Sequence, residues 1–220
     1  MKLKFLFLLL LAFATNSCVH AQQGFPFDGE IRAFKHQDSI SFPPKDGILF
    51  IGSSSIRLWS DLEQRFAGKP IIKRGVGGCQ LSQFVDYYTP YILFPYHPRK
   101  IFIYAGENDI AAGKTAEFVA DEFQKLWEMI HKQLPEGQVY YMSIKPSPSR
   151  AKYFDEVVKA NKLVKSFLAD KPKSTYIDMA TVILKDNSSV PDSSLFKADY
   201  LHLNSKGYDK WQKVLEPYVK

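Results

Sequence analysis

Cysteine is almost missing from this chain: its 220 residues include two, Cys18 and Cys79. With one of them inside an N-terminal leader, a disulfide framework is excluded. No Cys/His group has the spacing of a zinc site, so no structural metal is expected. Long runs of one charge are missing too. The formal charge is +6, yet there is no basic stripe and no nucleic-acid motif, so a nucleic-acid partner is not expected. Beyond the first 20 residues no apolar run is long enough to cross a bilayer. There is no internal repeat and no low-complexity tract. What remains, 45% hydrophobic and 24% charged residues, is the balance of a globular protein, at a length that suits one domain.

The N-terminus reads as a targeting segment. Lys2 and Lys4 precede an unbroken apolar run from Phe5 to Ala14, the length of a signal-peptide core. Two processing sites compete. Val19-His20-Ala21 ahead of Gln22 is a small-residue cleavage site, and Ser17-Cys18 is a possible lipoprotein site with Cys18 acylated. Thr15 stands where a lipoprotein site usually has Leu or Val, so residues 1–21 are expected to be a cleaved signal peptide. The protein is expected to be exported, periplasmic or secreted, with membrane attachment only if Cys18 is lipidated. Loss of Lys2 and Lys4 lowers the charge to +4.

Residues 22–46 are polar, end in Pro43-Pro44, and read as an extended lead-in anchored by Phe25, Phe27, Ile31 and Phe34. The domain is expected over residues 47–220. Short apolar runs at Ile48–Ile51, Pro70–Ile72, Ile101–Tyr104, Val139–Met142 and Thr175–Ile177 read as buried strands. Between them lie helical periods. In Thr115–Leu134 the residues Val119, Phe123, Leu126, Trp127, Ile130 and Leu134 share a face, with Thr115 as N-cap. A second such face runs from Phe154 to Leu168, and a third follows Asn204-Ser205 with Tyr208, Trp211, Leu215 and Tyr218. Strands alternating with helices predict a three-layer α/β/α sandwich with a five-stranded parallel sheet, flavodoxin-like in winding. Active sites in such sheets sit at the carboxyl ends of the strands.

Four blocks stand at those ends. Gly52-Ser53-Ser54-Ser55 follows the first strand, and a serine there either caps a helix or attacks a substrate. It is not a Gly-x-Ser-x-Gly elbow, because Ile56 replaces the second glycine. Gly75-Val76-Gly77-Gly78-Cys79-Gln80 follows the second strand. It fails as a dinucleotide fingerprint at Gln80, which leaves an oxyanion donor or a tight turn. Gly106-Glu107-Asn108-Asp109 follows the third strand, and Asn108 is either an amide donor or an Asx turn. Asp199-Tyr200-Leu201-His202 precedes the last helix, with the spacing for a carboxylate to hold an imidazole.

Together the four blocks, from Gly47 to about Tyr208, resemble the SGNH hydrolases, also called GDSL-type esterases and lipases. The resemblance implies Ser54 as nucleophile, His202 as base and Asp199 as its orienting partner. The Ser54 and Gly78 N–H groups and the Asn108 amide then form an oxyanion hole. It implies no cofactor, and a small-molecule or glycan ester as substrate. Several positions depart from the family: Ser53 where Asp is usual, Ser55 where Leu is usual, Lys73 where Asn is frequent, and Cys79 where Asp or Ser is frequent. Cys79 reads as a packed residue. A short-chain, acetyl ester on a carbohydrate is the expected substrate. The alternatives are a lysophospholipase or thioesterase of the same family, and a non-catalytic glycan-binding surface protein. Arg57, Arg74 and Arg150 are candidates to line the cleft without a spacing that ties them to it. His20, His36, His97 and His131 are read as structural or incidental.

Overall fold

The computed structural model describes residues 24–220. The signal-peptide and Cys18 readings lie outside the described residues. The chain runs α1 (Asp28–Ile40), β1 (Ile48–Gly52), α2 (Ser54–Arg57), β2 (Ile71–Gly75), β3 (Lys100–Tyr104), α3 (Glu107–Ala111), α4 (Ala116–Gln133), β4 (Gln138–Met142), α5 (Phe154–Leu168), β5 (Ser174–Ile177) and α6 (Ser205–Leu215). Short helical turns fill the stretch between β2 and β3. All strand pairs are parallel, in the order β2-β1-β3-β4-β5. This is the flavodoxin-like three-layer α/β/α sandwich that the alternating pattern predicts.

Side chains alternate across each strand, so each run feeds two cores. Leu49, Ile51, Ile101, Ile103, Val139 and Tyr141 point to one face. There they meet Ile31 of α1, Val119, Phe123, Leu126 and Ile130 of α4, and Val157 and Val164 of α5. Ile48, Phe50, Phe102, Tyr104, Tyr140 and Met142 point to the other, against Ile56 of α2 and Tyr208, Trp211 and Leu215 of α6. Strands covered on both faces explain why the runs are continuously apolar. Each fully buried large apolar side chain contributes about 1.5–3 kcal/mol. On the second face the rings of Phe50, Phe102 and Tyr140 stack across three strands with centroids 4.5 Å apart at each step. The parallel register sets these residues side by side.

The predicted caps are in place. Thr115 Oγ1 accepts from the Phe118 N–H at 3.2 Å, and Asn204 Oδ1 accepts from the Gly207 N–H at 3.2 Å.

The lead-in is the main correction. Asp28–Ile40 is a helix, not an extended strap. Its inward face is narrow and half polar, which hid its period. Ile31 is buried, Phe34 packs on the core, and Asp38, one turn further, binds the Arg74 guanidinium and accepts from Tyr96 Oη at 2.5 Å. Phe25 is an anchor, stacked against the rings of Tyr87 and Tyr91. Phe27 is not: it is 40% exposed.

Candidate active site

Ser54 opens α2 directly beyond β1, at the point in the sheet where β1 lies between β2 and β3. That is the switch point where doubly wound sheets open a crevice. The tight exit needs glycine on both flanks. A Cβ on Gly52 would lie 2.2 Å from the Tyr104 carbonyl oxygen, and one on Gly75 2.2 Å from the Arg57 nitrogen. The run of three serines is resolved by burial. Ser53 and Ser55 are 2% and 1% exposed, whereas Ser54 is half-buried and faces His202.

His202 and Asp199 lie on a loop closed by the Phe196–Leu203 bridge. Asp199 Oδ1 accepts from the Leu201 and His202 N–H groups at 2.9 and 3.0 Å. Its Oδ2 lies 2.7 Å from His202 Nδ1. His202 Nε2 lies 2.8 Å from Ser54 Oγ. Partial burial works against the Asp199 charge, but the hydrogen bonds from the His202 ring and from the two backbone N–H groups outweigh it. The carboxyl is held well below the usual carboxylate range. A permanent carboxylate on Nδ1 leaves Nε2 able to take a proton from Ser54.

Gly78 follows β2 in the left-handed region, at φ 81°. Among the described residues neither the Ser54 N–H nor the Gly78 N–H has a hydrogen-bond partner. Asn108 sits in α3, and its Nδ2 donates to the Cys79 carbonyl at 2.9 Å. The next residue, Asp109, is fully buried and accepts from the Leu81 N–H at 2.9 and 3.1 Å. These bonds clamp the loop after β3 to the loop after β2, so the candidate oxyanion donors form one unit.

A buried polar cluster beside Asn108, built on Glu107, Lys145 and Ser147, escaped the reading of the blocks. Glu107 is buried, and its carboxylate accepts from Lys145 Nζ and Tyr104 Oη, both at 2.8 Å, and from Ser147 Oγ at 2.9 Å. Arg150 Nη1 lies 3.6 Å from the same carboxylate. Burial alone would raise the Glu107 pKa. The charges of Lys145 and Arg150, with the hydrogen bonds from Lys145 and Tyr104, reverse that and hold it below its ordinary value. Arg150 also donates to the Glu107 carbonyl at 3.0 Å and to Asn108 Oδ1 at 2.9 Å. A signal was available: Lys145-Pro146-Ser147-Pro148 follows β4 at its carboxyl end, where the other three blocks stand after their own strands.

Of the other candidates, Arg150 alone among the three arginines touches the Asn108 block. Arg74 lies beneath α1, bound to Asp38 and donating to Tyr96 Oη at 2.7 Å. Arg57 flanks Gly77 and comes within 3.9 Å of Glu30. Lys73 turns away from the cleft and donates to the Trp59 carbonyl at 3.0 Å. Cys79 is buried against the Gly52 carbonyl, and burial pushes its thiol pKa well up. His131 is half-buried and stacks on Trp127 at 3.9 Å.

Comparison with known proteins places the family and the fold. The model of the GDSL-like lipase/acylhydrolase family matches residues 38–210, and the chain belongs to that family, within the SGNH hydrolase superfamily. It is therefore placed among the acylhydrolases and esterases. It is similar to the platelet-activating factor acetylhydrolase IB subunit alpha2 of Gallus gallus. The two are 25% identical over 180 residues, which cover 78% of this chain and 75% of the chicken protein. A GDSL-like lipase structure from Bacteroides thetaiotaomicron superposes with a TM-score of 0.71 at 16% identity, covering 86% of this chain and 96% of that one. A carbohydrate esterase family 3 structure from Talaromyces cellulolyticus superposes with a TM-score of 0.62 at 13% identity, covering 79% and 95%. At these identities the two structures share the fold.

Proposed function

We propose that the chain is a serine esterase that removes short acyl groups, acetyl foremost, from a carbohydrate through an acyl-enzyme on Ser54. The observation that carries this reading is the continuous contact Asp199–His202–Ser54, at 2.7 and 2.8 Å. A serine hydroxyl is a poor nucleophile until a base takes its proton. His202 removes it as Ser54 Oγ bonds to the ester carbonyl carbon, and Asp199 stabilises the imidazolium. The carbonyl oxygen, now negative, is met by the N–H groups of Ser54 and Gly78. The Asn108 N–H not used on Cys79 completes the hole. The imidazolium then protonates the leaving alcohol. Water, deprotonated by His202, attacks the acyl carbon and frees Ser54 and the acid.

The short-acyl, carbohydrate part of the reading is supported by names that belong to similar proteins, an acetylhydrolase and a carbohydrate esterase. The leader-like residues 1–21 support action outside the cytoplasm, with membrane attachment only through a lipidated Cys18. Hydrolysis of p-nitrophenyl acetate by the purified protein, beside its Ser54→Ala variant, tests the reading. Turnover that disappears in the variant is the expected result. A folded wild type without turnover on acetyl esters of phenols and sugars would favour a non-catalytic glycan-binding role instead.

A further inference from the structure

Phe27 is one of two aromatics of the lead-in, with Phe42, that neither core takes up among the described residues. It is 40% exposed, and its backbone is left-handed, at φ 58° and ψ 22°. A bulky residue holds that conformation only when its surroundings impose it, and here they do. Tyr88 Oη donates to the Pro26 carbonyl at 2.7 Å on one side. On the other, the Glu30 carboxylate accepts from the Gly77 N–H at 3.0 and 3.2 Å, and Ile31 is buried in the core. The ring thus rests on the oxyanion loop: its Cζ and Cε1 lie 3.4 and 3.7 Å from where a Cβ on Gly78 would be.

The sheet decides which part of a substrate meets this ring. Leu203, next to His202, packs in the core with Ile48 and Phe50. Ile31, in the helix that Phe27 introduces, packs on the opposite face with Leu49 and Ile51. His202 and Phe27 therefore approach the end of β1 from opposite faces of the sheet. The imidazolium must reach the leaving alcohol, so the alcohol lies on the His202 side. With the carbonyl oxygen held by the loop donors, Phe27 borders the side of the cleft away from the leaving alcohol. Phe27 also precedes residues 38–210, the part matched by the family model.

We propose that Phe27 walls the acyl side of the cleft and limits the length of the acyl chain that Ser54 accepts. The inference rests on the esterase reading. The test compares kcat/KM for p-nitrophenyl acetate, butyrate and octanoate in wild type, Phe27→Ala and Phe27→Gly, with melting curves for each. The glycine variant suits the left-handed backbone and keeps the test open should the alanine variant unfold. A second series holds the acyl group as acetyl and varies the size of the alcohol. The expected result is a rise of about tenfold or more in the octanoate-to-acetate ratio, with the alcohol series changing in parallel in wild type and variant. An unmoved ratio in folded variants of an active enzyme overturns the role of Phe27 alone. A change confined to the alcohol series overturns it too, by placing the ring on the leaving-group side. A wild type inactive on every ester overturns the esterase reading, and this inference with it.

Discussion

Arg150 holds Asn108 by its amide oxygen: Nη2 donates to Oδ1 at 2.9 Å while Nη1 donates to the neighbouring Glu107 carbonyl at 3.0 Å. A guanidinium has no acceptor, so the bond decides which end of the amide is which. Oδ1 faces Arg150, and Nδ2, which donates to the Cys79 carbonyl, keeps one further N–H.

That arrangement orders two substitutions. Asn108→Ala should lower kcat by about 10²–10³, with little change in KM, the loss typical of one oxyanion donor. Arg150→Met should lower kcat less, because the amide stays but turns more freely. The double variant should be no worse than Asn108→Ala, since both act through one group. Steady-state kinetics of the three decide it, and additive losses would show that Arg150 acts elsewhere.

The three serines give a sharp control. Ser54→Ala and His202→Ala should each cost on the order of 10⁶ in kcat, and Asp199→Asn on the order of 10⁴, by analogy with other triads. Ser53→Ala and Ser55→Ala should remain active, because both side chains are buried. If either matched Ser54→Ala while folded, Ser54 would not be the nucleophile.

Glu107 predicts an acid limb in stability. Its folded pKa lies below its ordinary value of 4.5, so its ionised form stabilises the fold. That contribution is complete above 4.5 and is lost as pH falls through the lower folded value. Glu107→Gln should lose this limb. At pH 7 it should also cost about 3–5 kcal/mol, because Lys145 is left buried without its partner. Glu107→Gln with Lys145→Met should recover much of that. Urea titrations at several pH values measure both effects.

Cys79 should be inert. With its thiol buried and its pKa pushed well up, iodoacetamide should leave it unmodified in the folded protein and alkylate it in urea. Mass spectrometry reads the difference. Cys79→Ala should retain turnover, and its loss in a folded variant would give the thiol a part in the chemistry.

The blocks at the strand ends were legible because each joins a local pattern to a local need. Gly52 and Gly75 mark tight exits from β1 and β2, and Asp199 and His202 are three residues apart on one loop. The helix over Asp28–Ile40 was not legible. Its inward face offers Ile31 and Phe34 and then a carboxylate, and Asp38 looks like a surface residue until Arg74 and Tyr96 are beside it. The same holds for Glu107 and Lys145, 38 positions apart in sequence. A buried ion pair has no periodicity.

By itself, then, the sequence determined the layers, the alternation of strands and helices from residue 47 onward, and the residue types at each strand end. Those depend on side-chain period and on turn chemistry within a few positions. Only the tertiary structure decided which of three serines lies against His202, that Arg150 holds Asn108, and that Phe27 lies against Gly78 on the loop after β2. Those relations are set by the parallel register and by which face of the sheet each segment covers, distances that no local stretch of chain encodes.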